Sequence, residues 1–226
     1  MSAPPEDRPT DPFAGFDLES AIRSRAADCA IELGTDAVAM LALHAREVLL
    51  ANRELKLTAI VEPRDFVERH IGESLEGAAM IERGAAGPLL DLGSGNGYPG
   101  IPIATVHPAL QPVLVEASTR KAAFLRVVLE RTLARGEVQD KQVQRAGDLA
   151  PGPPIRALVT RAMGNWERVL PRLHSRLAPG ADLLLWGGDR VAQVVRRDAW
   201  QRLRLADRRP IPNRERSWIW RFRPAG

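Results

Sequence analysis

The sequence predicts an α/β fold, a mostly parallel and doubly wound sheet preceded by a helical extension and closed by an antiparallel C-terminal strand. Three observations predict it. A short apolar strand runs into a glycine-rich turn and then a helix start over residues 89–104. From Pro88 onward, strand-like and helix-like patterns alternate, which argues for parallel strands covered on both faces. Over residues 17–87 the apolar periodicity is helical.

Taken in order, residues 1–16 (MSAPPEDRPTDPFAGF) are acidic, Pro-rich and without periodicity, and are expected to be a disordered tail. They carry neither a basic n-region nor an apolar h-region. Leu18, Ile22, Ala26, Cys29, Ala30 and Leu33 fall at helical spacing, with Gly34 as the expected stop and Thr35 and Asp36 as the next cap. A second helix places Val38, Leu41, Ala45, Val48 and Leu49 on one stripe. Pro63 is expected to open a short third helix through His70, and residues 73–83 form a fourth. Residues 17–87 therefore read as a helical extension and 88–226 as the α/β domain.

Within that domain the expected strands are 89–93, 112–116, 141–145, 155–160, 181–186 and 217–222. The expected helices are 100–107, 118–135, 165–177 and 189–200. Residues 217–222 (SWIWRF) have period 2 and follow Pro210 and Pro212, so they are placed antiparallel at the side of the sheet.

The chain of 226 residues is long enough for one sizeable core. Its single cysteine, Cys29, excludes an internal disulfide and a cysteine metal cluster. No apolar run approaches the roughly 20 residues of a membrane span, so a cytoplasmic protein is expected. The net charge of +4 is polarised. Residues 1–87 carry 9 Lys/Arg against 16 Asp/Glu, residues 88–185 carry 12 against 8, and residues 186–226 carry 11 against 4. A basic C-terminal third suits a polyanionic partner approached from one side.

In the segment Asp91-Leu92-Gly93-Ser94-Gly95-Asn96-Gly97, the glycines let the backbone turn sharply and approach a ligand closely, and Pro99-Gly100 reads as a helix start with free N–H groups facing that ligand. Two cofactors fit. Gly95-x-Gly97-x-x-Gly100 satisfies the dinucleotide fingerprint, and Glu116 lies about 20 residues on, where it would hold ribose hydroxyls. Asp91 favours S-adenosyl-L-methionine instead, since a carboxylate at the strand end suits an ammonium and would crowd a pyrophosphate.

The stretch DLGSGNGYPGIPIA, with LVEASTRKAAFL (114–125), QRAGDL (144–149), VTRAMGNW (159–166), LAPGADLLLWGG (177–188) and, upstream, NRELKLTAIVEPRDFVERHIGESL (52–75), resembles the bacterial glucose-inhibited-division protein B family. The resemblance runs from about residue 36 to the end. It implies a Rossmann-like, class I S-adenosylmethionine-dependent methyltransferase that modifies N7 of a guanine in 16S ribosomal RNA, with the RNA or the small ribosomal subunit as partner and the protein as a monomer.

The resemblance also implies roles. Gly93 and Tyr98 complete the cofactor positions, Ala146 and Gly147 lie against the adenine, and Arg161 approaches the cofactor. His70 faces the cleft, and Arg120 and Lys121 stand at a helix start near it. No metal is expected. Four residues depart from the family pattern: Lys56 for Asn, Glu73 for Asp, Gly147 for Glu and Trp186 for Lys. At Trp186 the change exchanges a cation for a stacking surface that would hold an extruded guanine; the alternative is a core tryptophan. No residue reads as a general base, and guanine N7, an unprotonated nucleophile, needs none. The rival readings are a nicotinamide-dependent oxidoreductase, a non-catalytic cofactor- or RNA-binding module, and the same chemistry on another acceptor.

Overall fold

The computed structural model describes residues 11–225. Most of the expected disordered tail, residues 1–10, lies outside them. Residues 11–16 depart from that expectation: they form a turn whose Phe13 is buried edge-on against Phe66 at 5.7 Å.

Helix α1 (Leu18–Asp28) starts under Asp17, whose side chain accepts from the Ser20 N–H at 3.0 Å. It ends five residues earlier than expected, because Ala30 takes a left-handed conformation (φ 56°) and the Ile31 N–H returns to the Ala26 carbonyl. Gly34 accordingly opens the next helix rather than stopping the first. Helix α2 (Thr35–Leu55) buries Val38, Leu41, Ala45, Val48 and Leu49, the expected stripe, and closes at left-handed Lys56. The expected third and fourth helices are one run: α3 (Pro63–Phe66), a π-helical turn Val67–Gly72 and α4 (Glu73–Ala78).

Seven strands form one sheet: β1 (Gly87–Leu92), β2 (Leu110–Glu116), β3 (Glu137–Asp140), β4 (Ile155–Arg161), β5 (Leu177–Gly188), β6 (Leu203–Pro210) and β7 (Ser217–Pro224). Their order is β3-β2-β1-β4-β5-β7-β6, and β7 runs antiparallel to both neighbours while the first five strands are parallel. Helices α5 (Gly100–Val106), α6 (Thr119–Thr132), α7 (Trp166–Val169) and α8 (Arg190–Val194) accompany the crossovers. Period-2 alternation divides the sheet's residues between two apolar layers: Leu90, Leu158, Leu183, Leu185 and Phe222 on one face, Leu89, Val159, Leu184, Trp186 and Ile219 on the other.

Three sequence expectations are corrected. The third strand is 137–140, not 141–145; it is an edge strand with one partner, β2, and its residues are largely exposed, so it lacks the apolar signal of a buried strand. Strand β6 was not foreseen. It takes the sheet edge, which puts the C-terminal strand β7 one position inward, between β5 and β6. The expected helices 165–177 and 189–200 are short helices continued by 3₁₀ turns.

Strand order reverses between β1 and β4, and in an open α/β sheet this switch point, at the carboxyl ends of the strands, is where ligands bind.

Candidate active site

Two clefts adjoin at that switch point. The first, of about 480 Å³, lies between Val115 and Ala117 after β2, residues 141–144, and the start of α7. The second, of about 560 Å³, is bounded by the glycine turn, Glu116, Lys121 and Arg161, with Leu57 and Ile60 from the loop after α2. Gly93, Met163 and Gly164 line both.

The three glycines of the turn do different work. All have positive φ (73°, 55° and 88° at Gly93, Gly95 and Gly97), where a side chain is strained. A Cβ on Gly93 would meet Met163 at 3.6 Å, and one on Gly95 would find only the Gly93 carbonyl, at 3.8 Å, so both border open cleft. A Cβ on Gly97 would fall 2.7 Å from Ile101 Cδ1 and 2.8 Å from His44 Nε2. Gly97 is therefore required by packing and does not line the cleft, against the expectation that it binds the cofactor.

Asp91 corrects two expectations at once. Its carboxylate is fully buried and accepts the Gly100 N–H at 3.1 Å, so the start of α5 is capped from inside the protein and its N–H groups do not face a ligand. Burial pushes the Asp91 carboxyl up to about 7, although the Gly100 bond pulls the other way. The place where a dinucleotide pyrophosphate would meet a helix start is thus filled by a carboxylate. Asp91 lines neither cleft, where contact with a ligand ammonium was expected of it, and its Oδ1 has no hydrogen-bond partner among the described residues.

Glu116 stands on the wall of the second cleft. Its Oε2 accepts the Gly95 N–H at 2.9 Å and its Oε1 the Ser118 N–H at 2.8 Å. Each oxygen retains a lone pair, so the carboxylate shapes the turn and can still accept from a diol. Residues 142–144 border the first cleft; Ala146 and Gly147, expected against the adenine, do not, because they form a 3₁₀ turn held by Asp148 accepting the Gln144 and Arg145 N–H groups.

The floor of the second cleft is a buried polar network. The Arg161 guanidinium donates to the Arg69 carbonyl at 2.8 Å and to His70 Nδ1 at 2.9 Å, and lies 3.6 Å from Glu73. Because Arg161 donates to Nδ1, His70 carries its proton on Nε2 and gives it to Thr58 Oγ1 at 2.8 Å. Burial, and then the adjacent Arg161 charge, drive the His70 imidazole down to about 2, so it is neutral. Tyr98 stacks on His44 at 4.2 Å and His70 at 5.0 Å, and Arg161 stands 6.0 Å from its ring. Glu73 also pairs with Arg214, at 3.0 Å, from the loop between β6 and β7. Lys121 lines the cleft; Arg120 is exposed beside it and does not.

Trp186 is not a stacking surface. It is 7% exposed, its Nε1 donates to the Glu73 carbonyl at 3.3 Å, and its distal ring is pressed against Gly77 of α4. Strand β5 continues past it to Gly188 because β7 pairs alongside, so Trp186 sits within the strand and on the core face.

Sequence reading missed Thr58, Met163 and Arg214, and noted Glu73 only as a departure. Arg214 lies 141 residues from Glu73, and no local pattern joins them. Asn52, which clamps the Thr58 backbone by two hydrogen bonds, was also missed.

A parallel sheet with one reversed strand, a nucleoside-sized cleft beside the acid that ends β2, and a helix start closed to pyrophosphate define an S-adenosylmethionine-dependent methyltransferase of the Rossmann-like class. Its fold is similar to that of an rRNA methylase from Streptococcus thermophilus (TM-score 0.52, 15% identity, covering 71% of this chain and 99% of that one). The family described as rRNA small subunit methyltransferase G matches residues 37–203, and the chain belongs to it. Relatives named ribosomal RNA small subunit methyltransferase G are 30% identical over 200 residues in Sorangium cellulosum (87% of this chain, 80% of the relative) and 39% identical over 137 residues in Xanthomonas axonopodis pv. citri (61% and 62%).

Proposed function

We propose that this protein transfers the methyl group of S-adenosylmethionine to N7 of a guanine in 16S ribosomal RNA, acting as a monomer in the cytoplasm on the RNA or the small ribosomal subunit. The observation that carries the reading is the pair of adjoining clefts at the switch point, joined at Gly93 and Met163. The first has room for an adenine between Val115 and residues 142–144, Glu116 accepts from the ribose, and the turn at Gly93 and Gly95 admits the methionine portion. When bound there, the cofactor supplies an electrophilic sulfonium methyl.

The chain's own residues position rather than deprotonate. Both nitrogens of His70 are engaged, with Arg161 and Thr58, so the imidazole is a fixed strut and not a free base. Guanine N7 carries no proton, so orientation and electrostatics suffice. Arg161, Arg214 and Lys121 give the second cleft a positive wall for an RNA segment, and Leu57 and Ile60 offer an apolar edge.

The test is methyl transfer from labelled S-adenosylmethionine to a 16S transcript and to small subunits purified from cells lacking the gene, followed by mapping N7-methylguanosine. One modified guanine is expected. Methylation at another atom overturns the assignment, cofactor and RNA binding without transfer favours the non-catalytic module, and calorimetric binding of NAD in place of S-adenosylmethionine favours the oxidoreductase.

A further inference from the structure

Beside the first cleft lies a surface groove of about 720 Å³ whose wall carries five exposed arginines: Arg168, Arg172, Arg190, Arg197 and Arg202. Two carboxylates, Glu167 and Asp198, share that wall, which leaves it strongly positive. Glu167 pairs with both Arg190 and Arg197 and so fixes two guanidiniums with one charge. Arg168, Arg172 and Arg202 have no carboxylate within 4.0 Å among the described residues. Arg202 is oriented by His174, whose Nε2 accepts from its Nη1 at 2.7 Å.

The groove is not isolated. Arg168 and Arg172, four residues apart in α7 and in the 3₁₀ turn after it, line both the groove and the first cleft. A chain lying in the groove is thereby led toward the switch point. Guanidiniums with free donors match phosphate oxygens in geometry as well as charge, and a row of them fits a polymer of regularly spaced phosphates.

We infer that this groove seats the phosphate backbone of the substrate RNA, flanking the segment whose base enters the second cleft. The inference rests on the rRNA reading above and adds to it the surface that holds the strand. Arg172 and Arg202 contact phosphates directly, and Glu167 holds Arg190 and Arg197 as a preformed pair at the groove's outer wall.

The full-length protein is titrated with a fluorescent in vitro transcript of 16S RNA over about 50 to about 200 mM potassium chloride. Each phosphate contact to a single strand contributes about 0.7 to the slope of log affinity against log salt, so Arg172→Gln/Arg202→Gln should flatten that slope by about 1.4. RNA affinity should fall roughly tenfold or more, and in Arg202→Gln, whose residue lies outside the first cleft, S-adenosylmethionine affinity measured calorimetrically should stay within about twofold of wild type. The reference variant Arg23→Gln/Arg126→Gln removes the same charge from α1 and α6, at exposed positions outside the groove, and should leave the slope unchanged. If the first variant fails to fold, Arg202→Gln alone should flatten the slope by about 0.7. Equal effects of the groove and reference pairs, or no effect of either, overturn the inference. Groove-dependent RNA binding with no methyl transfer to the transcript overturns the functional reading and leaves the groove standing. Methyl transfer with groove-independent binding does the reverse.

Discussion

Trp186→Ala separates a core role from a stacking role by which property falls first. The indole is almost wholly buried beneath α4, with Cζ2 and Cη2 so close to Gly77 that a Cβ there would lie 2.5 Å from each. Truncating a buried tryptophan costs about 3 to 5 kcal/mol through lost transfer energy and the cavity left behind. For a chain of this size each kcal/mol lowers the melting temperature by about 2 to 4 °C, so a fall of about 6 to 20 °C is expected. A second perturbation probes the same contact from the other side. Gly77→Ala pushes a methyl group into the distal ring and should cost about 1 to 3 kcal/mol by overpacking. Trp186→Phe withdraws those ring atoms, so the cost of Gly77→Ala should shrink in the double variant, with a coupling of about 0.5 to 3 kcal/mol. Thermal unfolding of the four proteins measures the cycle, and calorimetry with S-adenosylmethionine and a methyl-transfer assay accompany it. Loss of methyl transfer in Trp186→Ala at a melting temperature within about 2 °C of wild type, with no coupling to Gly77, would refute the core assignment.

Gly95→Val should abolish S-adenosylmethionine binding in calorimetry while the protein stays folded, since the side chain enters open cleft and the strain of its positive φ (55°) stays within the turn; Gly97→Ala should lower the melting temperature first, because its methyl group meets Ile101 and His44. Glu116→Gln should weaken cofactor binding by up to about 1.5 to 3 kcal/mol, and a 2′-deoxyribose analogue should lose much less affinity in the variant than in wild type; equal losses in both proteins would remove Glu116 from the ribose. Asp91 gives a pH dependence whose sign follows from its raised pKa, up to about 7 in the fold against about 3.9 in an unfolded chain. The folded state holds that proton more tightly, so the contribution is fully present below about pH 4 and is lost as pH rises through about 7, a change on the order of 4 kcal/mol. Relative to wild type without cofactor, Asp91→Asn should gain stability between about pH 4 and pH 7, and parallel pH profiles of melting temperature would contradict this.

The sequence alone determined the elements whose signals are local. The strand and turn from Leu89 to Gly97 were legible because an apolar run, an acid and alternating glycines occur within a few residues, and α2 because its apolar stripe, Val38 to Leu49, repeats over about three turns. The parity of β5 was also present: Leu184 and Trp186 share a face by period 2, and that face is the core. Which neighbour covers it was not, since the answer is Gly77 on α4, 109 residues away. The same holds for the cleft floor. His70 and Arg161 were legible one by one, but the tautomer of His70 depends on Arg161 at one nitrogen and Thr58 at the other. Asp91 was picked out as the discriminating acid from its place before the glycines. Only the tertiary structure decided how it discriminates, because the close approach of α5 to the end of β1 buries the carboxylate against Gly100 and closes the helix start to a phosphate. Strand β6 was missed for a related reason: on the exposed edge its arginine-rich sequence buries little, and it is held by pairing with β7, a contact between segments that no residue-by-residue pattern encodes.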